Sequence, residues 1–185
     1  MAKRLEAGLK ELHEKLRKKM IDKWNRSLPF EDELFDRWER AKFLGFGKGS
    51  SVYQSSHIFG NVKVGKNTWI GPFTILDGSG GLEIGDYCSV SSGVQIYTHD
   101  TVKWALSGGK MSYEYSPVKI GNFCYIGSLS LIEKGVTIGD HCLVGANSFV
   151  KNDVLPKSIV AGTPAKIVGK VEINDKGKIK LRYIK

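Results

Sequence analysis

Four histidines and three cysteines are the first candidates for acid–base, nucleophilic or metal chemistry, and their settings separate them. His99 stands in Thr98-His99-Asp100, at the mouth of a stretch that holds Trp104, Gly108, Gly109, Tyr113, Glu114 and Tyr115. An imidazole, ordinarily titrating near about pH 6.5, can take the proton of a hydroxyl as that hydroxyl attacks an electrophile. A carboxylate bonded to the second ring nitrogen would fix the tautomer; Asp100, Glu114 or a side chain of a neighbouring subunit has the chemistry to do so. His13 falls on a charged helix, and His57 and His141 are expected at the surface. No short Cys-x-x-Cys spacing occurs among Cys88, Cys124 and Cys142, which argues against a disulfide scaffold and a cysteine zinc knuckle.

The residues around His99 are embedded in a repeat of period six. Aliphatic residues recur at Val52, Ile58, Val64, Ile70 and Leu76, again at Ile84, Val90 and Ile96, and again at Ile120, Ile126, Ile132, Ile138, Val144 and Val150. Four positions after all but one of these comes a small residue, as in Thr68, Thr74, Cys88, Val94, Cys124, Ser130, Val136, Cys142 and Ser148. Helices want apolar residues at three and four, and flat strands want them at two, so neither period explains the pattern. A chain that runs straight for a few residues, turns tightly and repeats would stack the aliphatic and small side chains into a narrow core. The cysteines then occupy small inward slots, where a free thiol behaves as a compact apolar group.

Two irregularities interrupt the repeat. Extra residues within Asp77-Gly78-Ser79-Gly80-Gly81 suggest a small corner bulge, and register is lost from residue 97 to residue 117, which suggests a protruding loop. Loops projecting from a rigid scaffold are where binding and catalysis concentrate. Asp100 occupies a phase that is otherwise kept small, and a carboxylate there is unfavourable unless it is paired or the coil opens.

Together the hexads resemble the hexapeptide-repeat acyltransferases over residues 50–170. Thr98-His99-Asp100 followed by the Pro117-Val118-Lys119-Ile120-Gly121 return, and the Ala161-Gly162-Thr163-Pro164-Ala165-Lys166 ending, look like galactoside and maltose acetyltransferases and polysaccharide O-acetyltransferases. The resemblance implies an all-β solenoid, a left-handed parallel β-helix of roughly five coils with about 4.8 Å between them. It also implies a homotrimer with active sites at subunit interfaces, acetyl-coenzyme A as co-substrate, and His99 as general base for direct transfer to a sugar or glycan hydroxyl, with Asp100 beside it. Tyr125, Gly127, Ser128, Gly145, Ala146, Thr163 and Lys166 are the implied coenzyme A contacts, the backbone around Gly127 and Ser128 serving the oxyanion. Trp104, Tyr113 and Glu114 form the implied acceptor wall. N-acetylation of an amino sugar and a non-catalytic hexapeptide binding protein are the alternatives. The related γ-class carbonic anhydrases use a His-x-x-x-x-His pair that is absent here, so no metal is expected.

The remaining segments frame this domain, residues 47–170. Residues 1–46 are read as helical: an amphipathic helix with Leu5, Leu9, Leu12, Leu16, Met20 and Trp24 on one side, then a second over residues 30–43 burying Leu34, Phe35, Trp38 and Phe43. These are expected to pack on the coils and cap their open end, with weak contact to an acidic membrane surface as the alternative for the first. Residues 171–185 read as a β-hairpin. In a chain of 185 residues, the formal charge of +9 comes from both ends, +5 over residues 1–26 and +5 over residues 166–185. The repeat body is close to neutral and offers no stacking platform, which argues against nucleic acid as partner. Without a long apolar run or a leader-like start, the expected location is the cytoplasm.

Overall fold

A computed structural model describes residues 1–184; Lys185, the last residue of the expected hairpin, lies outside the described residues. The repeat forms a left-handed parallel β-helix of about six turns, one more than the hexad count gives. The additional rung is Ser158–Gly162, which continues the first face of the prism below Ser51–Val52, Trp69–Ile70, Ser89–Val90, Tyr125–Ile126 and Leu143–Val144. Ile75, Gln95, Leu131 and Phe149 line up on the second face, and Glu83, Lys119 and Thr137 on the third.

The aliphatic positions do what their spacing requires. Val52, Ile70, Val90, Ile126 and Val144 stack with no exposed surface on the first face, as do Leu76, Ile96 and Ile132 on the second. Each such side chain gives roughly 1.5–3 kcal/mol on leaving water. The cysteines are 2% exposed, and the Cys88, Cys124 and Cys142 thiols donate to the carbonyls of Gly121, Gly139 and Leu155, each at 3.1 Å. Close coil spacing holds position 127 to glycine: a Cβ there would stand 2.5 Å from the Ala146 amide nitrogen. At the edge between third and first faces, Tyr87, Phe123 and His141 adopt φ of 54, 59 and 58°. They stack on one another there, with centroids 5.6 and 4.6 Å apart, contact that offsets the cost of left-handed backbone in bulky residues.

The N-terminal segment departs from expectation. Helix α1 (Ala2–Trp24) buries none of its residues and packs its later half on α2 (Phe30–Leu34) instead of on the coils. The second helix is broken in two. Phe35 is extended, and Asp36 restarts the chain as the cap of α3 (Arg37–Phe43), its carboxylate accepting from the Trp38 and Glu39 amides at 2.7 and 3.1 Å. Leu34, Phe35, Trp38 and Phe43 are therefore exposed, at 39, 56, 46 and 88%, and it is Ala41 and Phe46 that enter the core. Capping of the prism's open end falls to α3, whose Arg40 guanidinium donates to the Tyr53 and Ser56 carbonyls. At the other end, Ala165–Ile173 adds antiparallel to Ser158–Gly162, and Ile179–Tyr183 pairs with it as the expected hairpin, begun six residues earlier than residue 171.

Candidate active site

The bulge and the long loop lie at the same edge, between second and third faces, and their meeting builds the site. The strand Ile75–Ile84 runs from one face to the other through the bulge, carrying Asp77 just after the buried Leu76. Asp77 is 2% exposed. Its Oδ1 accepts from Ser79 N and Ser79 Oγ at 3.0 and 2.6 Å, and its Oδ2 from Thr98 N at 2.9 Å. The same Oδ2 lies 2.7 Å from His99 Nδ1. Burial alone would raise this carboxyl; the hydrogen bonds from Ser79, Thr98 and His99 outweigh it and hold the group well below the usual carboxylate range. Asp77 is thus an anion whose contact at Nδ1 favours the Nδ1–H tautomer of His99, in which Nε2 carries a lone pair able to accept a proton.

Thr98, not Asp100, occupies the inward slot at this point of the coil. It has no exposed surface, its hydroxyl donates to the Asp77 carbonyl at 2.9 Å, and it accepts from Gly80 N at 2.8 Å. The coil opens there, two residues earlier than the hexad register implies. Asp100 accordingly sits half-exposed in a short antiparallel ladder in which His99 faces Tyr115 and Asp100 faces Glu114. Its Oδ1 accepts from Val102 N at 2.9 Å, at the start of α4 (Val102–Leu106), and its Oδ2 lies 3.0 Å from Lys134 Nζ. The orienting carboxylate of His99 is therefore Asp77, whereas Asp100 and Glu114 belong to the loop's own charge network. The signals that could have pointed to Asp77 were an acidic residue directly after a core leucine and extra residues at the edge where the long loop also departs.

Around the imidazole stand the loop aromatics. Tyr115 and Tyr113 stack on His99 with centroids 5.7 and 6.5 Å away, and Trp104 meets Tyr113 edge-on at 5.6 Å. Trp104 and Tyr113 keep 43 and 41% of their surface exposed, so a ring could lie against them.

The residues implied for the donor lie elsewhere on the chain. Tyr125 projects from the first face, and Gly127, Ser128, Gly145, Ala146 and Thr163 follow it onto the edge between first and second faces. Ala146 and Thr163 are exposed there, Ser128 is half-buried, and Lys166 is exposed on the adjoining strand. The Gly127 and Gly145 amides are engaged, donating to the Val144 and Val160 carbonyls at 2.9 and 2.8 Å. The second face separates this edge from His99, and a six-residue side spans at most about 20 Å. No group of three or more His, Cys, Asp or Glu that could hold a metal ion occurs among the described residues.

Residues 117–152 match the bacterial transferase hexapeptide (six repeats) family. The chain is 32% identical over 172 residues to galactoside O-acetyltransferase of Escherichia coli (strain K12), an alignment covering 87% of this chain and 79% of that protein. The chain belongs to the hexapeptide-repeat transferases. Among solved structures, this acyltransferase resembles a hexapeptide-repeat containing acetyltransferase from Vibrio cholerae, at 26% identity and TM-score 0.56, over 89% of this chain and 91% of that one. It also shares its fold with a variant of AntD, an N-acyltransferase from Bacillus cereus in complex with dTDP and coenzyme A. There the identity is 24% and the TM-score 0.61, over 71% of this chain and 88% of that one.

Proposed function

We propose that this acyltransferase is an acetyl-coenzyme A dependent O-acetyltransferase acting on a sugar or glycan hydroxyl, with His99 as general base. The observation that carries the reading is the 2.7 Å Asp77–His99 contact, with the second ring nitrogen left for the acceptor beneath Tyr113 and Tyr115. A hydroxyl is a poor nucleophile at neutral pH and needs a base; a neutral amine does not. The acceptor oxygen attacks the thioester carbon while Nε2 takes its proton, and Asp77 stabilises the imidazolium that forms. Collapse of the tetrahedral adduct breaks the carbon–sulfur bond, and the proton passes to the departing thiolate. The products are the acetyl ester and free coenzyme A, with no acyl-enzyme on the way. Similarity to a galactoside O-acetyltransferase supports a hydroxyl acceptor.

Tyr125, Ser128, Ala146, Thr163 and Lys166 are the donor contacts of this reading. Because they occupy a different edge from His99, donor and base meet when the donor edge of one copy faces the loop edge of another, which a closed trimer provides. Free thiols at Cys88, Cys124 and Cys142 suit a reducing cytoplasm.

The test is thiol release from acetyl-coenzyme A across a panel of sugars, amino sugars and sugar nucleotides, with wild type and His99→Ala. A hydroxyl acceptor and a loss of about 10²- to 10⁴-fold in kcat on substitution are expected. Turnover confined to amino groups, with only a few-fold loss in the variant, would favour N-acetylation.

A further inference from the structure

We infer that Lys134 is a positioning residue that clasps the acceptor loop over His99. Asp100 and Glu114 face each other across the two-residue ladder of that loop, and like charges directly opposed on neighbouring strands repel. Lys134 lies between them: its Nζ is 3.0 Å from Asp100 Oδ2 and 3.3 Å from Glu114 Oε2, and its side chain is 22% exposed. It comes from the next coil, two residues after the buried Ile132 and just before Gly135, whose amide donates to the Ser116 carbonyl at 3.3 Å. A rung of the rigid prism therefore holds both strands of the loop at once. Lys103, from α4 within the loop, takes the other Glu114 oxygen, so the cations and carboxylates alternate.

The clasped residues flank the base and its aromatic wall. Asp100 follows His99, and Glu114 lies between Tyr113 and Tyr115, which stack on the imidazole. Asp77, in contrast, grips His99 from the coil core independently of Lys134. Losing the clasp thus displaces the acceptor wall while leaving the oriented imidazole in place. The consequence falls on acceptor binding, because the loop carries Tyr113 and Tyr115 and none of the proposed donor contacts.

The effect on turnover rests on the acetyl-transfer reading; the effect on the loop does not. Lys134→Met is expected to raise KM for the acceptor about tenfold while KM for acetyl-coenzyme A stays within about twofold. Lys134→Arg keeps a cation between the carboxylates and is expected to restore the acceptor KM to within about twofold of wild type. Independently of turnover, trypsin should cut the folded Lys134→Met protein after Lys103 or Lys110 faster than wild type, and about 1 M salt should speed the same cleavage in wild type by screening the network. Unchanged acceptor KM and unchanged tryptic cleavage in Lys134→Met would overturn the clasp. If wild type transfers acetyl to no sugar hydroxyl, the functional reading fails while the tryptic comparison still decides the role of Lys134.

Discussion

A buried carboxylate with a single imidazole partner is the residue-scale feature on which the proposed chemistry turns. Asp77 Oδ1 is taken by Ser79 and its Oδ2 by Thr98 and His99, so its negative charge is stabilised by donors that the fold places before any substrate arrives. Replacing it by asparagine removes that charge and permits the wrong ring tautomer; Asp77→Asn is expected to lose about 10²-fold or more in kcat with both KM values little changed. The same residue links stability to pH. Its carboxyl is lowered in the folded state relative to an ordinary aspartate near about 3.9. The stabilisation is therefore fully present above that value and is lost as pH falls through the lower folded-state value. Melting curves of wild type and Asp77→Asn should accordingly lie furthest apart at neutral pH and converge as the solution is acidified below about 3.9. A gap that widens on acidification would contradict the assignment of Asp77 as the native anion.

Among the elements, the opened coil decides where His99 stands. Thr98 closes the core at the point where the hexad pattern ends, and its hydroxyl joins the Asp77 carbonyl to the Gly80 amide across the mouth of the loop. Gly80 is held to glycine by this approach, since a Cβ there would lie 2.4 Å from the Thr98 carbonyl oxygen. Thr98→Val keeps the shape and deletes the hydroxyl, leaving the partly buried Gly80 amide without its acceptor. A stability loss of about 1–3 kcal/mol by denaturant titration is expected. A larger fall in kcat than in stability would show that the bond also sets the angle of His99. The bulge and the loop act as one unit because they project from one edge in successive coils. This is also why the sequence hid Asp77. The hexads declare which residues point inward, and they fall silent where the chain leaves the repeat, so a pairing between positions 22 residues apart had no pattern to announce it.

For the whole molecule, the proposed donor contacts and His99 stand on different edges of one chain, so the proposed reaction calls for a second copy. A mass three times the 20.5 kDa of one chain is expected by sedimentation. His99→Ala disables the loop edge, and Ala146→Trp blocks the exposed donor edge. Each variant alone should be inactive, and the two refolded together should regain turnover, because some interfaces then pair an intact base with an intact donor edge. Absence of recovery in verified mixed trimers would place both halves of the site in one protomer. The N-terminal segment shows a different kind of division: α3 and Phe46 close the prism, while α1 stands on α2 with Leu5, Leu9 and Leu12 exposed.

The period of six determined the β-helix, its inward residues and the burial of all three cysteines, because a solenoid core is written in local spacing that repeats with every coil. The break in that period marked the loop and His99. Tertiary structure alone decided that Asp77 orients the imidazole, that Lys134 gathers Asp100 and Glu114, and that the amphipathic α1 leaves the coils to α3. Each of these depends on which residues of different coils or helices are brought side by side, and hydrophobic periodicity carries no term for a contact between charged groups outside the repeat.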